Sequence, residues 1–142
     1  MQKILCATDE TEVSRNAEEF AADLAKAVNA ELCYIHVSPP RPGDSGIENG
    51  RLSIILDEAA ARDHEILQNS MDAADKKGVK NVTCRTVRSA TVVSTISGIA
   101  EKEGFDHILA GSTGREGIPR FLIGSVASGL IHKAHCPVTI VR

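Results

Sequence analysis

The spacing of apolar and polar positions changes period repeatedly along this chain, and the changes mark out nine segments. Residues 3–8 (KILCAT) are a short apolar run ending at Asp9, and Ile, Leu and Cys suit a buried strand. From Val13 the apolar residues recur at Ala17, Phe20, Ala21, Leu24, Ala25 and Val28, the spacing of one helix face. Thr11 is placed to cap that helix, with Ser14 three positions on as half of a capping box, and Asn29 is a fitting stop. Residues 32–37 (LCYIHV) predict a second strand. A helical pattern over 51–77 follows, with Leu52, Leu56, Ala59, Ala60, Ile66, Leu67, Met71 and Ala74 inward and Gly78 as its end. Residues 82–87 predict a third strand, polar enough for a sheet edge. Ser89 or Thr91 opens a helix whose apolar face is Val92, Val93, Ile96, Ile99 and Ala100, closing near Gly104. A fourth strand covers 105–110. A helix over 125–134 turns Val126, Leu130 and Ile131 inward, and Pro137 breaks it before a last strand over 138–141.

Strict βαβαβαβαβ alternation with right-handed crossovers predicts an open, doubly wound, parallel five-stranded sheet with helices on both faces, a Rossmann-like α/β fold. No repeat or linker interrupts 1–142, so a single domain is expected. Ligands of such sheets bind beyond the carboxyl ends of the strands, where strand order reverses. With the order 3-2-1-4-5 that point lies between the first and fourth strands, which places Asp9 opposite Gly111. Two connections depart from regular structure. Residues 38–50 carry three prolines and three glycines in thirteen positions, and a loop that long in a compact domain tends to be functional; here it is a candidate cover for a ligand. The other, 111–128 (GSTGREGIPRFLIGSVAS), joins an apolar strand to a helix start with four glycines (Gly111, Gly114, Gly117, Gly124), and the hydroxyls of Ser112, Thr113 and Ser125 lie beside them.

A strand, a glycine-rich loop and a helix N-terminus form a phosphate cradle: glycines admit the anion to the backbone, and the first-turn N–H groups point at it. Each charge-assisted hydrogen bond contributes roughly 1.5–3 kcal/mol. The helix dipole adds roughly 0.3–1 kcal/mol. Four such donors and a buried base approach the roughly −8 kcal/mol of micromolar affinity. Arg115 and Arg120 lie in the same loop and add charge. The alternative is a tight connector with no ligand.

Composition removes other classes. The chain has 142 residues, 3% aromatics, no Trp, a net charge of −3 and a pI near 5.9. Base-stacking platforms and a polycationic field for nucleic acid or anionic lipid are therefore not expected. No apolar run approaches the roughly 20 residues of a membrane span. MQKILCATDE enters a strand without a signal-peptide core, so a cytoplasmic protein is expected. Cys6, Cys33, Cys84 and Cys136 form no C-x-x-C pair and read as small apolar residues in a reducing compartment. His132 and His135 are either a metal pair or cations at a helix C-terminus. His36 and His107 fall in strands, where packing or hydrogen bonding is expected, and His64 on an exposed helix face. Asp9 is either a general base or, lacking an evident partner, a capping or ligand-contacting residue. The P-loop, dinucleotide-fingerprint, nucleophile-elbow and H-E-x-x-H patterns are absent from the sequence.

Gly111-x2-Gly114, nine further residues and Gly124-Ser125 match G-x2-G-x9-G-[S/T], and with them the whole chain resembles the nucleotide-binding branch of the universal stress protein (UspA-like) family. KILCATDETEVS is similar to that family's opening strand and Asp-bearing loop, ELCYIHV to its second strand, FDHILAGSTG to the strand before the glycine loop, and HCPVTIVR to its last strand. The resemblance implies an order of 3-2-1-4-5, a dimer, and ATP bound without a well-defined reaction. It implies that Gly111, Gly114, Gly124 and Ser125 hold ribose and phosphates, with Arg115 and Val126 beside them. It also implies that the Val37 backbone meets adenine and that Asp9 lines the ribose and metal side, where Mg²⁺ accompanies ATP (or AMP or ADP). The chain departs from the family at Glu10, where Gly is usual. A carboxylate ~7 Å from a phosphate, at an effective dielectric of ~20, costs roughly 2 kcal/mol, unless Glu10 faces solvent or helps hold Mg²⁺. Three readings follow: an ATP-binding regulatory stress protein, a slow Mg²⁺-dependent ATPase or phosphotransferase using Asp9, and a nucleotide-free partner-binding dimer. A homodimer is expected through the edge strand in 137–142.

Overall fold

The computed structural model describes residues 1–9, 11–40, 58–113 and 122–142. Glu10, residues 41–57 and residues 114–121 lie outside the described set, and with them Gly114, Arg115, most of the 38–50 loop and the start of the helix expected from 51, Leu52 and Leu56 included.

Five strands form one parallel sheet in the order β3-β2-β1-β4-β5: β1 Lys3–Ala7, β2 Glu31–Ser38, β3 Val82–Arg88, β4 His107–Gly111 and β5 Val138–Val141. Central β1 pairs with β2 in the register Leu5↔Cys33 and with β4 in the register Leu5↔Ile108. Its Ile4, Leu5 and Cys6 are fully buried, as a parallel strand covered on both faces requires. Alternating side chains sort into two cores. Ile4, Cys6, Leu32, Tyr34 and Leu109 pack under helices α1 (Glu12–Val28) and α2 (Glu58–Lys77). Leu5, Cys33, Ile35, Ile108 and Ala110 pack under α3 (Val92–Glu103) and α4 (Ser125–Lys133). The expected topology is present, and β3 is a polar edge strand.

The inward stripe of α1 is Ser14, Ala17, Ala21, Ala22 and Ala25. Small side chains bring this helix close to the sheet, and the larger apolar residues fall at the stripe's border. Phe20 and Val28, read as inward, are 46% and 42% exposed, and Ile131 of α4, also read as inward, is 48% exposed. Thr11 caps α1 by accepting from Ser14 N at 3.1 Å, and Asn29 ends it in the left-handed region (φ 54). Thr91 stands at the N-cap of α3 without a side-chain cap bond; Ser89 Oγ instead accepts from Thr91 N at 3.1 Å. Gly78 and Gly104, both at positive φ, end α2 and α3. Tyr34 lies 1% exposed under α1 and donates its hydroxyl to the Glu18 carbonyl at 3.1 Å. All four cysteines are free. Among the described residues no helix is long and apolar enough to cross a membrane.

Candidate functional site

Strand order reverses between β1 and β4, so the loops leaving them run to opposite faces and leave a crevice. A cavity of about 760 Å³ occupies it, lined from the carboxyl ends of β1, β2 and β4 and the N-termini of α3 and α4. Asp9, Val37, Gly111, Gly124, Ser125 and Val126, the six site residues expected within the described set, all line it. Gly114 and Arg115 lie outside the described residues, as does Glu10.

The two sides of the cavity differ in chemistry. On the β2 and α3 side the lining is mainly apolar, Ile35, Val37, Ala90, Val92 and Ile96 with Pro39, and includes the Ser89 hydroxyl. On the β4 and α4 side the hydroxyls of Ser112, Thr113 and Ser125 lie among Ala110, Gly111, Gly124, Val126 and Ala127. Gly124 is the N-cap of α4 and has no side chain to cap it, so among the described residues the first-turn N–H groups have no side-chain cap from that position. The end of β4 is tied to β5 and to the start of α4. Ser112 N donates to Val141 O and Gly124 N donates to Ser112 O, each at 2.7 Å.

Asp9 stands between the two sides. Its Oδ1 accepts from Thr11 N at 3.1 Å and Thr11 Oγ1 at 2.7 Å, a local turn that opens α1. Its backbone N–H donates to Ser14 Oγ at 3.0 Å. Ser14 Oγ in turn meets Thr8 Oγ1 at 2.9 Å, and Thr8 Oγ1 bonds the Glu18 carboxylate. The other Glu18 oxygen accepts from Ser70 Oγ of α2 at 2.7 Å. A chain of hydroxyls thus fixes the Asp9 backbone to both helices on that face. His36 adds a second tie, with Nδ1 2.8 Å from Thr8 O and Nε2 3.3 Å from Asp63 Oδ1 of α2. Asp9 therefore forms the turn ahead of the Thr11 cap and also lines the cavity; among the described residues no His, Lys or Ser is bonded to its carboxylate as a base partner would be.

Among the described lining residues Asp9 is the single carboxylate and no Lys or Arg is present. An anion would meet backbone N–H groups and hydroxyls, a set suited to phosphate oxygens. One carboxylate beside a phosphate site also fits Mg²⁺, which takes few protein ligands and keeps phosphates and waters. No group of three His, Cys, Asp or Glu side chains among the described residues could hold a metal ion by itself. His132 Nδ1 is 2.8 Å from Ser128 O, within its own helix, in keeping with a helix-end residue. Thr8, Ser14, Ser89 and the α3 residues Val92 and Ile96 also line the cavity and were not singled out as site residues. For Ser14 the signal existed: a hydroxyl three positions after an N-cap can face back toward the strand end.

A second cleft of about 500 Å³ runs between α1 and α2. Its walls mix cations and anions (Arg15, Lys77, Glu19, Glu65), and the groups at its floor, Tyr34, Ser70 and Glu18, are already bonded to one another.

A family model described as the universal stress protein family matches residues 1–142. A universal stress protein of Methanocaldococcus jannaschii is 33% identical over 141 residues, covering 99% of this chain and 82% of that protein. Universal stress protein YxiE of Bacillus subtilis is 29% identical over 147 residues, covering 99% and 98%. Among solved structures, a universal stress protein in complex with cAMP superposes with a TM-score of 0.76 at 23% identity, covering 99% of this chain and 96% of that one. One from Archaeoglobus fulgidus in complex with dAMP gives 0.72 at 22% identity, covering 100% and 98%.

Proposed function

The chain belongs to the universal stress protein family, and on that footing we propose that it binds an adenine nucleotide, ATP foremost with AMP or ADP as substitutes, and acts as a nucleotide-responsive regulatory module. The observation that carries this reading is the division of the crevice: a mainly apolar side at β2 and α3 for a base, and a helix start at a glycine N-cap with three hydroxyls at β4 and α4. Structural relatives in complex with cAMP and dAMP support an adenine nucleotide as the ligand class.

In this reading adenine lies against Val37 and meets its backbone. Ribose passes Asp9, and the phosphates lie over Gly111, Gly114, Gly124, Ser125 and Val126 with Arg115 alongside. Mg²⁺ joins Asp9 to the phosphates and offsets the negative charge there. Residues 1–142 act as one domain, in the cytoplasm, as a homodimer joined through 137–142. Slow hydrolysis is the second reading, favoured by the Asp9 carboxylate being the one acid on the described wall. It requires turnover that disappears in Asp9→Ala while binding persists.

The primary test is calorimetric titration of ATP with and without Mg²⁺. Micromolar affinity is expected, and no heat at millimolar ATP would sink both the regulatory and the hydrolytic reading. Gly124 has φ −65 and ψ 164, backbone open to any residue. Gly124→Val therefore adds bulk over the phosphate position without backbone strain, and ATP binding should be lost while the thermal transition is retained. Unchanged affinity in that variant would remove the phosphate assignment.

A further inference from the structure

We propose that Ser89 is a specificity-determining residue of the nucleotide cavity: its hydroxyl is held as a hydrogen-bond donor and reads a ring nitrogen of the base. The proposal rests on the nucleotide reading above. It begins from the make-up of the base side of the cavity. Among the described residues lining that side, Ser89 alone has a side chain able to form hydrogen bonds. A purine carries its chemical identity in the donors and acceptors along its edges. On this side those edges can meet backbone groups or the Ser89 hydroxyl, and only the hydroxyl depends on which residue stands there. Ser89 is half-buried in the connection between β3 and α3. Its backbone N–H donates to Ser38 O at 2.9 Å, which fixes it at the end of β2, one residue past Val37.

The neighbours of this hydroxyl decide what it can offer. A hydroxyl has one proton and two lone pairs. Thr91 N donates to Ser89 Oγ at 3.1 Å, and Thr95 Oγ1 donates to it at 2.8 Å. Both lone pairs are thereby engaged, and the proton remains. The other oxygen beside it is Thr91 Oγ1 at 3.2 Å, longer than the roughly 2.5–3.0 Å of an O–H···O bond. The proton is thus available to a ligand, while the oxygen has no lone pair left to accept from one. A base is favoured if it presents a bare ring nitrogen at this point and disfavoured if it presents an N–H or a C–H. Adenine has three such nitrogens, N1, N3 and N7. Thr95 is not on the cavity wall, so it is a positioning residue that acts through Ser89.

The test titrates wild type and Ser89→Ala by calorimetry with ATP and with three ATP analogues, in which N1, N3 or N7 is replaced by C–H. One analogue is expected to bind wild type roughly two- to tenfold more weakly than ATP, the range of one net hydrogen bond. Ser89→Ala should bind ATP more weakly by a similar factor and should no longer distinguish ATP from that analogue. The cycle separates readout from support, because a merely structural serine would weaken all four ligands alike. Thr95→Val carries the same comparison if Ser89→Ala does not fold. It frees one lone pair of Ser89, so the gap between ATP and the sensitive analogue should narrow. Three analogues that bind wild type as ATP does, a uniform loss in Ser89→Ala, or an unchanged gap in Thr95→Val overturns the proposal and leaves the nucleotide reading standing. No heat with ATP or any analogue overturns the nucleotide reading, and the Ser89 role with it.

Discussion

A Cβ built on Gly111 would stand 3.1 Å from Val13 Cγ1 and 3.2 Å from both Ser14 N and Val13 C. Two of those atoms are backbone of the first turn of α1, which cannot rotate away as a side chain can. The glycine therefore lets β4 lie close under α1, beside the Ser14 hydroxyl that holds Asp9 N. Gly111→Ala should shift that turn, lower stability by about 1–3 kcal/mol and weaken ATP binding more than Ser125→Ala does. A melting curve with a matched ATP titration checks this; a variant as stable as wild type would show that α1 yields freely. Gly129 is a second position of close approach, with its added Cβ 2.7 Å from Val93 Cγ2. Here the neighbour is one side chain between α3 and α4, which can turn aside more readily than backbone.

Element by element, the periodic signals translated directly where one face dominates. The three central strands read as apolar runs because both their faces are covered, and β3 read as more polar because it is an edge. The crevice was legible from alternation plus the glycine spacing, two independent features that converge on Asp9 and Gly111. Less legible was the inner face of α1, where alanines do the packing and the large residues Phe20 and Val28 stay half exposed; hydrophobic periodicity weights large residues, whereas close approach selects small ones. Contacts between distant segments, such as Ser70 with Glu18 and Asp63 with His36, leave no local pattern at all. One such contact joins β4 to β5: His107 Nε2 is 2.8 Å from Thr139 Oγ1. Burial holds the His107 imidazole below the ordinary histidine value, the nearby Asp106 carboxylate opposing this and the N-terminal ammonium reinforcing it. The unfolded chain then takes up this proton first. His107 should thus cost no stability above about pH 6.5, and stability should fall as pH drops below it. Melting temperatures of wild type and His107→Gln across that range should converge in acid, and parallel curves would contradict the assignment.

At the scale of the whole molecule, β5 closes the sheet on one side with four residues, Val138–Val141, all half-buried, and among the described residues no strand pairs with their outer edge. An unpaired edge of this kind is completed by a second copy in the proposed homodimer. Light scattering at micromolar concentration should give twice the chain mass; a monomeric wild type would dismiss the interface. The fold also carries its own optical reporter. The chain has one tyrosine and no tryptophan, so its near-ultraviolet emission comes from Tyr34, beneath α1 with its hydroxyl on the Glu18 carbonyl. Burial, then the neighbouring Cys6, Glu18 and Asp23, pushes this phenol well above the ordinary tyrosine range. An unfolded chain ionises there at about pH 10, so stability declines as pH climbs past that value. In strong base, then, tyrosinate absorbance should rise in one step together with the loss of helical dichroism, turning a routine alkaline titration into a direct count of unfolded molecules.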